Sequence, residues 1–365
     1  MHNPANEQGA LRVIGERAVC TCLLVVVALA AMGQSRQENL NKCRSADPDT
    51  KIAGCTVLIQ GGQETPENLS SAYEIRGVAY DDKGDYDHAI PDLSESIRLN
   101  PRMAASFYSR GIAYNRKGEF DRAIQDYNEA IRMGLSSAPV YEARGHAFRN
   151  KGSYDRAIQD YNNAIRLDAN YAVAYNDRGE CFFHQGDYGG ALQGYNEAIR
   201  LNPNQLIAYN NRGLVYLIQN RLTEAIADFE HTIFASPSSN AASNAALWLD
   251  VASKRQGFDD AHLLAQVASV ADLSKWPGPV LKLDLGQLTA ADLMAAALNG
   301  DARVQSRQVC DANYFTGEAA LFHHQRTAAL AHLRAARDGC PKSDGVYDAA
   351  ALELKRLNSS AASVK

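Results

Sequence analysis

Small and aromatic residues recur along this chain at a spacing far longer than one helical turn or one strand repeat. Gly77, Gly111, Gly145, Gly179 and Gly213 each stand 34 residues apart, and Ala89, Ala123, Ala157, Ala191 and Ala225 keep the same step. Rings stand before each Gly (Tyr73, Phe107, Tyr141, Tyr175, Tyr209) and after it (Tyr80, Tyr114, Phe148, Phe182, Tyr216). A further ring precedes most of the Ala positions: Tyr86, Phe120, Tyr154 and Tyr188, with Leu222 in the fifth unit. Residues 117–132, "KGEFDRAIQDYNEAIR", and 151–166, "KGSYDRAIQDYNNAIR", differ at three positions. The pattern predicts two helices per unit, split by a short break. Gly in that break takes the left-handed conformation that ends a helix. Asn220, the next best residue there, replaces it in the fifth unit. Asp87, Asp121 and Asp155 fall in the first turn of the second helix, where negative charge suits the helix dipole.

The period and its small/large pattern resemble the tetratricopeptide repeat. Five clear units cover residues 70–239. The resemblance implies an all-α fold: a right-handed solenoid of antiparallel helix pairs, with a small helical insert and a carboxyl-terminal capping helix. One unit cannot bury its apolar face alone, so stacking makes the fold. The Gly of the first helix and the Ala of the second let the two helices approach closely, and the rings fill the gaps between units. Pro91 lies inside the second helix of the first unit, where it removes a hydrogen bond, and a kink is expected there.

The same register extends in both directions. Upstream it lands on Cys43 and Cys55, so residues 34–69 read as a shortened unit, with Asp47 as cap and Pro48 at the first helical position. Its helices are pinned by a disulfide, or else hold two buried free thiols; the spacing and an export signal favour the bridge. Downstream, residues 240–273 form a degenerate unit, 274–300 a turn and helical insert, 301–342 a final repeat and 343–365 a capping helix and tail. Cys310 and Cys340 fall at neighbouring ends of the final helix pair, which predicts a second disulfide.

Residues 240–357 resemble the end of the repeat-containing lipoprotein adaptors of the Gram-negative envelope. The matching residues are Trp276, Pro277, Gly278, Pro279, Val280, Leu285, Gly286, Gln308, Val309, Cys310, Gly317, Glu318, Glu353 and Leu354. That resemblance implies a protein without chemistry of its own, one that brings a protease to its substrates or holds peptidoglycan hydrolases in complexes. The lipid-anchoring Cys motif of those adaptors is absent: Val19 and Thr21 precede Cys20 and Cys22.

Composition narrows the functions. Hydrophobic residues make up 46% of the 365, enough for a core, and a net charge of −5 without basic tracts argues against nucleic-acid binding. Arg12 and Arg17 precede an uncharged run from Ala18 to Gly33, as in a secretory signal. Ala31 and Gly33 suit a cleavage site, and the run is short of the ~20 residues a spanning helix needs. Two readings stay open: a cleaved signal leading to the periplasm, or an amino-terminal anchor in the inner membrane.

No nucleophile elbow, phosphate-binding loop or zinc-protease motif occurs, and no cofactor or metal site is expected. His323, His324 and His332 read as surface residues. Cys181 reads as a buried small residue rather than a nucleophile served by His184. Arg76, Arg110, Arg144, Arg178 and Arg212 read as repeated ion pairs with Asp92, Asp126, Asp160 and Asp228, Gly194 leaving Arg178 without that partner.

In tetratricopeptide repeats the first helices line the concave face. The inward positions here are Glu74, Val78 and Asp81; Tyr108, Ile112 and Asn115; Glu142, His146 and Arg149; Asn176, Glu180 and Phe183; and Asn210, Leu214 and Leu217. They vary while the stacking positions stay fixed. Asn176 and Asn210 are expected to bind a peptide backbone while Leu214, Leu217 and Ile218 receive a side chain, unless the sixth unit or the carboxyl-terminal helix covers that patch. The expected function is therefore a non-enzymatic adaptor for other proteins or extended peptides, or an assembly or export component of the envelope.

Amino-terminal sequencing of protein released by osmotic shock should begin just after Gly33. Protein recovered only from membranes with Ala18 retained would establish the anchor instead.

Overall fold

The computed structural model describes residues 35–258, 261–341 and 345–362, and every regular element among them is a helix. The signal segment, with Ala31 and Gly33, lies outside the described residues. The chain divides into two compact units, Met1–Ser136 and Ser137–Lys365.

The first unit holds α1 (35–43), α2 (Pro48–Gln60), α3 (Pro66–Asp82), α4 (Tyr86–Leu99), α5 (Ala104–Lys117) and α6 (Phe120–Arg132). Asp47 caps α2 by accepting from the Thr50 amide at 2.8 Å, and Pro48 opens the helix. Cys43 and Cys55 are joined, tying α1 to α2 with their Cα atoms 4.6 Å apart. The approach is close, for a Cβ on Gly54 would lie 2.5 Å from the Cys43 amide nitrogen. Helix α4 runs as one element through Pro91.

The second unit repeats the pairing with α7 (Ala138–Asn150), α8 (Tyr154–Leu167), α9 (Ala172–His184), α10 (Tyr188–Leu201), α11 (Leu206–Ile218), α12 (Leu222–Ala235), α13 (Asn240–Gln256) and α14 (Ala261–Val270). The insert α15 (Gly278–Asp284) and α16 (Ala290–Ala297) follows, then the long pair α17 (Ala302–Phe322) and α18 (Arg326–Gly339), and α19 (Gly345–Ala362). The breaks use left-handed residues: Gly84, Gly118, Gly152, Gly186 and Gly257, with Asn220 and His324 where glycine is missing. His324 ends α17 in this way, so its place is a turn rather than a helix face.

Each pair closes on one contact that the repeat spacing contains but the Gly and Ala positions alone do not reveal. Sixteen residues after the Gly stands a large buried side chain: Leu93, Tyr127, Tyr161, Tyr195 or Phe229. A Cβ on Gly111 would lie 2.6 Å from the Tyr127 ring, and one on Gly213 would lie 2.7 Å from the Phe229 ring. Gly317 and Leu333 repeat the contact in the α17–α18 pair, at 2.8 Å.

The neighbouring residues on both helices form the expected ion pairs. Arg76, Arg110, Arg144 and Arg212 each grip Asp92, Asp126, Asp160 or Asp228 in two-pronged fashion, at 2.6–2.8 Å. The guanidinium also reaches back to the preceding helix pair. Arg76 donates to Thr56 at 3.0 Å, Arg110 to Ser94 at 3.0 Å and Arg212 to Asn196 at 2.7 Å. One side chain thus bonds three helices, and the carboxylates it neutralises are buried. Arg178 keeps only the backward arm, to Asn162 at 2.7 Å. Its Nε is buried without a partner, and burial lowers its pKa. Asp is sterically excluded opposite it, because a Cβ on Gly194 would lie 2.7 Å from the Tyr175 carbonyl and 2.8 Å from Gly179 Cα.

Of the carboxyl-terminal motif residues, Trp276, Val280, Leu285, Val309, Cys310 and Leu354 meet in one core with Leu247, Leu281, Leu293, Tyr314 and Leu333. Arg255 joins Glu318 at 3.2 Å to Glu353 at 3.1 Å, and Trp276 donates to Asp311 at 2.8 Å. Cys310 and Cys340 are paired across α17 and α18. Helix α19 packs against α11, α17 and α18. Among the described residues, no helix is long and apolar enough to cross a membrane.

Gly111→Ala should destabilise the chain by ~1–3 kcal/mol, since the Tyr127 ring must leave its place. Thermal and urea unfolding check this; an unchanged midpoint would show that the contact does not hold the pair.

Candidate functional site: the inner face of α7 and α9

Helices α7 and α9 are first helices of consecutive pairs. Residues three or four apart share a helix face, so Glu142, His146 and Arg149 line up on α7. Asn176, Asp177, Glu180 and His184 form the facing row on α9. Arg149 makes a salt bridge to Glu180 and lies 3.9 Å from Asp177. Asp177 accepts from the Asn176 amide at 3.1 Å, and Asn176 accepts from Asn211 at 3.2 Å. His184 Nε2 lies 3.7 Å from Glu180 while its Nδ1 is buried without a partner.

Burial controls the protonation of this cluster. It raises Glu142 to about 7, with the nearby Asp177 charge adding to the effect and Arg149 opposing it. Burial raises Asp177 to about 6, with Arg149 opposing and Glu180 adding. Burial and then Arg149 lower His146 to about 4. Burial works against the charge of Arg149, but Glu180, Tyr161 and Asp177 outweigh it and raise its pKa. Burial also pushes the Cys181 thiol upward, away from the thiolate a nucleophile needs.

Five of the residues expected to line the groove therefore come together: Glu142, His146, Arg149, Asn176 and Glu180. Asp177, one place outside the inward positions, joins them. The signal for it was an acid at a place that holds Ile75, Ser109, Ala143 and Asn211 in the other units.

The apolar end is different from the expectation. Leu217 is 1% exposed, Phe183 4% and Ile218 9%, so they offer no open patch. Leu217 belongs to the carboxyl-terminal core, and Leu352 of α19 packs with Phe183, Leu214 and Ile218. Gly345 sits so close that a Cβ on it would lie 2.6 Å from Leu214. The chain's own last helix fills this part of the face because the apolar residues of α11 need cover. Asn176 is 2% exposed and spent on Asp177 and Asn211, and Asn210 donates to the Ala241 carbonyl at 3.0 Å. Neither amide is available to a peptide backbone.

In the first unit, Glu74 accepts from Ser109 at 3.2 Å, and burial raises its pKa. Asp81 pairs with Arg116, and the Tyr108 ring lies against Tyr127, with centroids 5.9 Å apart. Val78 packs with Leu93 and Ala113, while Asn115, like Tyr108 and Ile112, is carried by α5.

Paired helices closed on glycine and stacked through arginine define a helical-repeat scaffold. Residues 145–186 and 179–219 match the family described as TPR repeat, and residues 76–138 and 206–233 match families described as tetratricopeptide repeat. The chain is a tetratricopeptide-repeat protein, and repeats of this kind serve as surfaces for binding other proteins. These matches end at residue 233, so they do not bear on the resemblance of residues 240–357 to envelope adaptors.

The solved structures similar to this chain include the following three. MamA is 26% identical, with 44% of this chain and 93% of that chain covered, at a TM-score of 0.41. YrrB, described as a TPR protein with an unusual peptide-binding site, is 18% identical over 52% and 96%, at 0.41. PilF of Pseudomonas aeruginosa is 17% identical over 61% and 98%, at 0.49. No curated protein matches the chain.

The raised pKa of Glu142 carries a definite sign. The folded state holds this proton more tightly than the unfolded chain, so stability falls as pH rises from about 4.5 through about 7. The His146 contribution runs the other way, falling as pH drops from about 6.5 toward about 4. Glu142→Gln removes only the carboxylate. The variant should melt a few degrees above the parent at about pH 8 and match it near pH 4. A constant difference across that range would show that Glu142 is not desolvated.

Proposed function

We propose that the chain is a non-enzymatic adaptor that holds an extended segment of a partner protein along the inner face of α7 and α9. One observation carries this reading. The inner face of α11 is filled by the chain's own α19, whereas Glu142, His146 and Glu180 remain partly open beside it. A half-buried row of acids beside a single, already paired guanidinium is costly to the fold alone and suits a ligand that adds charge of the opposite sign. The uncharged run from Ala18 to Gly33 favours work beyond the inner membrane, in the periplasm. The adaptor resemblance of residues 240–357 favours recruiting a protease or peptidoglycan hydrolase as the task. If the apolar run is retained as an anchor, it favours a membrane-bound assembly or export component instead.

A photo-crosslinking residue at position 146, on the inner face, should capture one partner protein in living cells. The same residue at position 159, exposed on outer helix α8, should not. Equal capture at both positions, or capture only at 159, would place the partner elsewhere.

A further inference from the structure

The charges on this inner face do not balance. Glu142, Asp177 and Glu180 bring three carboxylates and Arg149 one guanidinium, and Arg149 is already held by Glu180. A ligand carboxylate would find its only cation there occupied. No hydrogen bond reaches the Glu142 carboxylate among the described residues, although it is half buried.

A second feature points the same way. Tyr161 of α8 is fully buried, and its hydroxyl has no partner. The ring passes across Gly145, where a Cβ would lie 3.0 Å from it, and packs with Ala138 of α7 and with Ala174 and Cys181 of α9. Asp177, Arg149, Cys181 and Glu142 all act on that hydroxyl. A buried, unpaired hydroxyl costs ~1–3 kcal/mol, which a donor arriving from outside would recover.

We infer that this cluster is a subsite for a basic side chain of an extended peptide, its cationic head lying between Glu142 and Asp177 and donating to the Tyr161 hydroxyl. An ammonium carries three donors and no acceptor, and Glu142, Asp177 and Tyr161 offer it three acceptors. Such a head would also neutralise the surplus negative charge. The inference rests on the adaptor reading and adds the chemistry of the partner.

The ionisable groups that face the subsite are Glu142, His146 and Arg149 from α7, Tyr161 from α8, Asp177, Glu180, Cys181 and His184 from α9, and Tyr195 from α10. The two acceptor acids gain their charge on the way to about pH 7. Binding of a basic peptide should therefore strengthen from about pH 5.5 to about pH 8, and Glu142→Gln should flatten that profile.

The test selects phage-displayed random peptides on the full chain and measures a selected peptide by calorimetry. Enrichment of Lys or Arg at one fixed position is expected. Acetylating that Lys, or making Glu142→Gln or Asp177→Asn, should each weaken binding ~10-fold or more with the melting temperature not lowered. Peptides that lose binding on an inner-face change such as His146→Ala, but show no basic preference, would overturn the subsite and leave the adaptor reading standing. Peptides indifferent to every inner-face change, or no selected peptide at all, would overturn both.

Discussion

The whole structure depends on the absence of a Cβ at one place in each repeat. Where Gly111, Gly145, Gly179 or Gly213 faces the ring sixteen residues on, the ring lies directly against backbone. That contact sets the separation of the two helices. The separation in turn puts the residue before the Gly opposite the residue before the large side chain, which is why Arg–Gly faces Asp–ring in three of the five clear units and Asp92–Leu93 in the first. The arginine then has a spare nitrogen, and it bonds the preceding pair. Closure of one repeat and stacking of the next are thus two consequences of one close approach. The fourth unit shows the limit of the scheme: at Gly194 the helices leave no room for Asp, and the Arg178 Nε goes unpaired.

The same geometry shapes the inner face. With its ring drawn across Gly145, Tyr161 holds its buried hydroxyl under the influence of the Asp177 and Glu142 carboxylates, without a hydrogen-bond partner. One pair further on, the face is apolar and the chain covers it. The buried Arg255, bonded to Glu318 and Glu353, holds α19 in the carboxyl-terminal core, so that Leu352 lies over Phe183 and Leu214. Along the inner face from α7, charge comes first and then the edge of α19.

Much of this was legible in the sequence. The 34-residue step fixed the helix pairs, their left-handed breaks at Gly and Asn220, the Arg–Asp pairs and the partnership of Cys43 with Cys55. These depend on local spacing, which one chain displays five times. What was not legible depends on which distant element lies on top. Leu214, Leu217 and Phe183 are a groove or a core according to where α19 rests, and no periodicity reports that. Asn176 was read as free because its neighbour Asp177 was not recognised as part of the row. The backward arm of each arginine was missed for a simpler reason: Thr56, Ser94, Asn162 and Asn196 differ in type, so they leave no repeated letter.

The central claim is that the open inner face of α7 and α9 is the binding surface, and that the carboxyl-terminal part of the chain covers the neighbouring face of α11 rather than binding a partner. Hydrogen exchange of the full chain, alone and with its captured partner, tests this most directly. Added protection within residues 138–150 and 172–184, with little change across 240–357, is the predicted result. Protection confined to the outer helices α8 and α10, or to residues 240–357, would contradict it.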